Sequence, residues 1–218
     1  MTGKIKLVHS GGNAVSLAVP RSNPSSCEVE LKLPQSDGSA DTFLKTDGSG
    51  NLSFASLPAS GITMADSWRI TANFNNNAQP ITSNWERGDL SPWEGYLGSA
   101  GLTESSGVFS FPSTGWYFIH YSHDFYTSSD VNWVFMGLDV SNDSGSNWSS
   151  LSYTAGNNGY GDGDTTYHLS CQTSLFDVTN TSTQRMRFYV ERQTGTVVTL
   201  GSTNRKQTGF DIFRLGDT

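Results

Sequence analysis

The stretch Gly107-Val-Phe-Ser-Phe-Pro112-Ser-Thr-Gly115-Trp-Tyr-Phe-Ile-His120-Tyr-Ser-His123-Asp-Phe-Tyr126 decides how this chain folds. It reads as a short strand, a Pro-Ser-Thr-Gly turn and a long aromatic strand. Pro112 presets φ at the bend, and Gly115 can take the positive φ that returns the chain to the sheet. After the turn nearly every residue is aromatic or β-branched, as expected of a strand buried on one face and crowded on the other.

Working outward, the rest of the chain repeats this texture. Strands are predicted at Ser67–Asn73, Ile81–Trp85, Asn132–Val140, Ser149–Thr154, Thr166–Leu175, Gln184–Arg192 and Gly209–Leu215. Gly, Ser, Asn and Thr turns separate them. Strands at this near-regular spacing predict a double-sheet sandwich or jelly roll. Aromatics make up 12% of the 218 residues and charged residues only 15%, with 23 glycines, which favours an all-β fold over helices. The best helical candidate, Asp66–Ala72, is too short and too β-branched to compete.

Residues 1–60 differ. Small alternating apolar sets (Ile5, Leu7; Val15, Leu17, Val19; Val29, Leu31, Leu33; Phe43, Leu44; Leu52, Phe54) lie between strong turn signals at Gly11-Gly12-Asn13, Asn23-Pro24, Asp37-Gly38 and Asp47-Gly48-Ser49-Gly50. So few apolar side chains do not make a core alone, and the segment needs a staple or partners. Leu57–Gly61 marks a break. The division expected is a segment 1–60, a linker 61–65 and a globular sheet domain 66–218.

Net charge is −7 and the sequence pI near 4.9, so the chain lacks the basic footprint of a nucleic-acid binder and does not suit an anionic lipid surface. No apolar run is long enough to insert in a membrane, and Met-Thr-Gly-Lys-Ile-Lys has no signal core, so synthesis in a cytoplasm without standard export is expected. Cys27 and Cys171 fall in different domains and read as buried thiols rather than a disulfide. The acceptor-like sites at Asn51, Asn142, Asn147 and Asn180 then mean turn composition, not glycans.

Two segments resemble known families. Phe109-x-Phe111-Pro112-x-x-Gly115-x-Tyr117, with its aromatic strand and the closing Thr208-Gly209-Phe210-Asp211-Ile212-Phe213-Arg214-Leu215-Gly216, resembles the globular head of complement component 1q and its tumour-necrosis-factor-like relatives. The resemblance implies a TNF-like jelly roll whose last strand runs down the centre of a homotrimer, with Phe210, Ile212, Phe213, Leu215 and Tyr117 at the trimer interface. The chain lacks the collagen-like stalk of the complement proteins. Leu33-Pro34-x-Ser36-Asp37-Gly38-Ser39 and Phe43–Phe54 resemble a segment of bacteriophage tail fibres, in which three chains interleave short strands around one axis. That arrangement would supply the core that residues 1–60 lack.

Several constellations invite chemistry. His120-x-x-His123 cannot share a metal on a strand, because residues three apart point to opposite faces. His9 and His168 are isolated. Asp162 and Asp164 in Gly159–Thr165 could chelate calcium if further oxygens converged, but the run lacks the glycine and distal glutamate of a hand-type loop and reads first as a solvated turn. No Gly-x-Ser-x-Gly elbow is present, and the acids are scattered, so the chain does not read as an enzyme and needs no cofactor. Trp148, Tyr160, Trp85 and Trp93 are the candidates for stacking on a sugar, the competing role being plugs of the sandwich or of a seam. Arg185, Arg187, Arg205 and Lys206 read as edge-protecting charges.

Together these point to a virion structural protein, a tail fibre or receptor-binding tip adhering to a host surface glycan through three weak sites, with residues 1–30 joining other virion proteins. It would assemble in the host cytoplasm. The alternatives are a capsid, neck or head-fibre decoration with a purely structural trimeric role, and a non-viral lectin-like module.

Overall fold

The computed structural model describes residues 4–8, 10–18, 30–56, 61–89, 95–159, 164–193 and 196–218. The chain divides into two compact units, 1–59 and 60–218.

The first unit contains two separate hairpins. β1 (Lys4–Val8) pairs with β2 (Ala14–Ala18), and β3 (Thr42–Thr46) pairs with β4 (Leu52–Ser56). The second hairpin turns on Asp47, whose carboxylate accepts from the Ser49 amide (2.7 Å) and from both the amide (3.1 Å) and side-chain Nδ2 (2.6 Å) of Asn51. These bonds hold its pKa below the usual carboxylate range, the Asn51 side chain contributing most. Lys32 makes only a bridge to Asn51 where the Val29, Leu31, Leu33 alternation predicts a strand, and Val29 lies outside the described residues. Among the residues of this unit whose side chains are described, none is buried. Leu7, Leu33 and Phe54 are 67%, 77% and 42% exposed.

The second unit is a two-sheet sandwich without a helix among its described residues. Its strands are β5 (Met64–Ile70), β6 (Trp85–Arg87), β7 (Tyr96–Leu97), β8 (Thr103–Ser105), β9 (Val108–Ser110), β10 (Gly115–Thr127), β11 (Val131–Ser141), β12 (Ser149–Asn158), β13 (Thr166–Val178), β14 (Arg185–Arg192), β15 (Val198–Thr199) and β16 (Gly209–Gly216). One sheet has the order β13-β10-β16-β5-β6, with β15 on β10 and β7 on β5. The other runs β12-β11-β14-β9-β8. Met64 and Ala65, expected in the linker, already belong to β5, and Met64 is buried. The short strand predicted at Ile81–Trp85 begins only at Trp85, because Asn84 takes φ 65° and breaks the extended run.

The quoted stretch behaves as its residues dictate. Gly115 takes φ 140°, and the Tyr117 hydroxyl donates to the Ser113 carbonyl across the turn (2.9 Å). Along β10 the odd-numbered residues from Gly115 to Thr127 are buried and the even-numbered ones are not. Inside, the rings of Trp68, Trp85, Phe109, Phe188 and Phe210 interlock. Phe109 meets Trp68, Trp85 and Phe210 edge to face at 5.0–5.2 Å, and Phe188 stacks on Phe210 at 4.7 Å. Edge-to-face pairs set the positive ring edge against the negative ring face, adding to the gain from burial.

A second device anchors the loop before β8. Buried Asp66 accepts from Arg87 Nε (2.9 Å) and from the Leu102 amide (2.8 Å), while Arg87 lies over the rings of Trp68 and Tyr96. Beside it, buried Arg69 donates to Glu86 (2.9 Å) and pairs with Asp89. Both buried charges are therefore compensated.

The core corrects three interface expectations. Tyr117, Phe210 and Ile212 are 0%, 1% and 0% exposed and pack inside a single chain, so they cannot line a seam between chains. Phe213 is half-buried on the other side of β16, and Leu215, at the irregularity where β16 shifts register against Trp116 and Tyr117, is 53% exposed.

Candidate functional site

The sheet carrying β10 has an open face, and register fixes who lies on it. Phe118 is paired with Leu175 and Phe213, His120 with Thr173 and Asp211, and Tyr126 with Tyr167. All point away from the core by alternation. The Phe118 and Phe213 rings lie 6.4 Å apart, and those of Tyr126 and Tyr167 5.6 Å apart. Trp116, Leu175, Leu169 and Tyr167 are 42%, 53%, 62% and 67% exposed. A polar band runs between the two apolar ends, with Asp211 held by Lys206.

β13 shows why this face is unusual. From Thr166 to Leu175 its large apolar residues, Tyr167, Leu169 and Leu175, point outward, whereas His168, Ser170, Gln172 and Ser174 occupy the inward positions. A strand of an isolated sandwich has the opposite polarity, and an apolar face of this extent is characteristic of an interaction surface. The signal is present in the sequence as Tyr-His-Leu-Ser-Cys-Gln-Thr-Ser-Leu, but strict alternation does not say which side is the core.

Of the polar inward positions Ser170 is buried and His168, Gln172 and Ser174 are half-buried, with Gln172 lining an open cavity of about 750 Å³ together with residues 150–155 of β12. Tyr121 shares a hydrogen bond with Ser152 (3.0 Å), Ser152 with Ser174, and burial pushes the Tyr121 phenol up to about 12. His123 contacts Thr199 Oγ1 through Nε2 (3.0 Å). Its pKa is pushed down to about 3, first by burial and then by His168. Neither group opens onto a cleft where it could move a substrate proton. His120 lies on the open face and His123 in the core, so the two histidines are separated by the sheet.

The sugar-stacking candidates part company. Trp85 is a core plug, packed on Phe109, Phe188 and Phe210 with its indole N–H donating to the Ile81 carbonyl (2.8 Å), and the expectation of a binding role there is corrected. Tyr160, Trp93 and Asp162 lie outside the described residues, as does Cys27. Asp164 is exposed, and among the described residues no group of three potential ligands gathers to hold a metal. Cys171 is an exposed thiol on the open face, not a buried one.

Trp148 is half-buried on the opposite sheet, with the Arg187 guanidinium 4.3 Å above its ring and Arg187 Nε donating to buried Asp139 (3.0 Å). The loop leading to it is set by Asp143, which accepts from the Asn147 amide (2.8 Å), the Asn147 side chain (2.6 Å) and the Ser141 hydroxyl (2.8 Å). These bonds, led by the Asn147 side chain, lower its pKa to about 2.

With this geometry in hand, comparison with solved structures identifies the fold. The chain is similar to the Eiger TNF of S. frugiperda, with TM-score 0.55, 12% identity, and coverage of 72% of this chain and 96% of that one. Murine APRIL matches in two crystal structures, at pH 8.5 (TM-score 0.45, 12% identity, 70% and 98% covered) and pH 8.0 (TM-score 0.43, 13% identity, 70% and 99% covered). The second unit is a TNF-like jelly roll. No family model and no curated protein sequence matches the chain.

Proposed function

We propose that the chain is a homotrimeric virion fibre or receptor-binding tip that adheres to a host surface glycan. The observation carrying this reading is the inverted polarity of β13, which leaves Tyr167, Leu169 and Leu175 exposed in one chain. Packing that face against two further copies covers it, and the exposed apolar residues of 1–59 gain partners in the same step. Phe213 and Leu215 then join the seam in place of Tyr117, Phe210 and Ile212. The tail-fibre-like motif of residues 33–54 supports the virion setting, with residues 1–30 joining other virion proteins. Three weak sites per trimer, repeated over several fibres, give avidity without a tight single site. The reading needs no cofactor, nucleic acid or membrane insertion, and the assembly site is the host cytoplasm.

Light scattering on the full chain at micromolar concentration tests it. A trimer is expected, and a stable monomer overturns the reading. A trimer that binds no host envelope glycan on an array instead points to a decoration role.

A further inference from the structure

The second sheet, β12-β11-β14-β9-β8, carries a surface of different chemistry. Gly137, in the middle of the eleven-residue strand β11, is flanked in register by Tyr153 on β12 and Tyr189 on β14. A Cβ at Gly137 would lie 2.1–2.4 Å from Cζ, Cε1 and Oη of Tyr189, so the Tyr189 ring lies flat across the sheet over the glycine. A glycine inside a strand costs stability and marks a place where something must approach the backbone closely. Here it is the half-buried Tyr189 ring, laid against the sheet.

The neighbouring rings extend the surface. Phe135 meets Tyr153 at 5.4 Å edge to face, and Trp133 stacks on Phe135 at 5.1 Å with an 18° tilt. Tyr153 is 56% exposed. Trp133, Phe135 and Tyr153 lean on one another and Tyr189 on the Gly137 backbone, so the platform is ordered before any ligand arrives. Polar groups occupy the same grid. Glu191 is the register partner of Phe135, Ser150 and Arg187 are the partners of Asp139, and Ser150 hydrogen-bonds with Tyr189.

We propose that this platform, centred on Gly137, Tyr153 and Tyr189, is a binding site for neutral pyranose oligosaccharides. The assignment rests on the glycan reading of the previous subsection and places the site away from the inverted face of β13. Flat aromatic faces accept the C–H faces of a sugar ring, and the interleaved hydroxyl, carboxylate and guanidinium reach the hydroxyls around its edge. Adjacent strands stand about 4.8 Å apart, comparable to the width of one pyranose ring, so successive sugars meet successive columns of the grid. Charge selects the class. Asp139 and Arg187 neutralise each other, and Arg185 and Glu191 carry opposite charges towards the two ends of β14, so among its described residues the face has no cationic patch of the kind a polyanionic chain needs. The contrast with β13 argues against a protein seam here, because this face presents rings among polar groups, with only the small aliphatic residues Val108 and Ala155 in register beside them and Leu151 at the rim.

Saturation-transfer NMR on the full chain, with maltotriose, cellotriose and tri-N-acetylchitotriose as probes, tests the site. Transfer to ring C–H protons is expected with at least one probe. Tyr153→Ala is expected to weaken that binding at least tenfold, and Tyr153→Phe to keep it within twofold. Gly137→Ala displaces the Tyr189 ring without deleting any side chain and should also weaken binding at least tenfold. Melting curves and the trimer mass identify any variant that fails to fold, and exposed Tyr153 carries the test if Gly137→Ala does. Wild-type binding that survives in Tyr153→Ala overturns the site and leaves the adhesion reading standing. A chain that ignores all three probes yet adheres to envelope polysaccharide on the array overturns the neutral-sugar assignment alone. A chain that binds neither overturns both.

Discussion

Residues 60–218 and residues 1–59 are both built from short strands and turns, yet one buries an interlocked aromatic core and the other, among the residues whose side chains are described, buries none. The difference lies in partners rather than propensity. In the head, alternation on β10 meets alternation on β14 and β11 across a sandwich, so the apolar faces of these central strands cover one another. In the first unit the Phe43–Ala55 and Leu44–Phe54 pairs of the β3–β4 hairpin lie on opposite faces, with Phe43, Leu44 and Phe54 left exposed, and an isolated two-stranded hairpin is marginal in water. The first unit therefore depends on what it assembles with, and the head does not.

The largest test separates the two. Residues 60–218 expressed alone should melt cooperatively, whereas residues 1–59 alone in dilute solution should show no cooperative transition by circular dichroism. A folded monomeric 1–59 would break the comparison. Next in size, Phe109→Ala in the isolated head should cost about 3–5 kcal/mol in urea unfolding, as removal of a core ring does. Phe54→Ala, at 42% exposure, should cost the monomeric chain under about 1 kcal/mol. Comparable losses at the two positions would mean that 1–59 has a hidden core.

Acid gives a smaller, graded effect. His123 is held neutral with its pKa near 3, against about 6.5 in the unfolded chain. Between these values the unfolded state binds the extra proton. Stability of the head should therefore be full above about pH 6.5 and fall progressively towards pH 3, by on the order of a few kcal/mol. His123→Phe should flatten that slope. An unchanged pH profile would show that the histidine is not sealed. Smallest in stability terms, Leu169→Asp should change unfolding of the isolated head by less than about 1 kcal/mol while abolishing the trimer of the full chain, read by light scattering.

Much of the fold was legible. Pro112, Gly115 and the alternation after it placed β10, and Gly209–Gly216 was found as the closing strand. What the sequence withheld was facing. Period-two alternation looks the same whichever side is the core, so nothing in the sequence opposes the seam that the family resemblance implies for Tyr117, Phe210 and Ile212, which fill the chain's own interior. The same ambiguity concealed the outward leucines of β13. Trp85 is a stacking candidate by residue type, with a plug of the sandwich as its competing role, and the contacts with Phe109, Phe188 and Phe210 decide for the plug. Trp133 and Phe135 read as ordinary strand residues. Their role with Tyr153 depends on Gly137 lying in register between two tyrosines on different strands, which no local window contains.

The pairing of Met64 with Arg214 has a practical consequence. The chain enters the head and leaves it at the same end of two neighbouring central strands. A short linker joining residue 218 back to residue 60 should therefore close the head into a circle with little strain. New termini could then be opened in an exposed loop such as 142–147, giving a permuted head whose tether emerges from a different side and whose display orientation can be chosen by design.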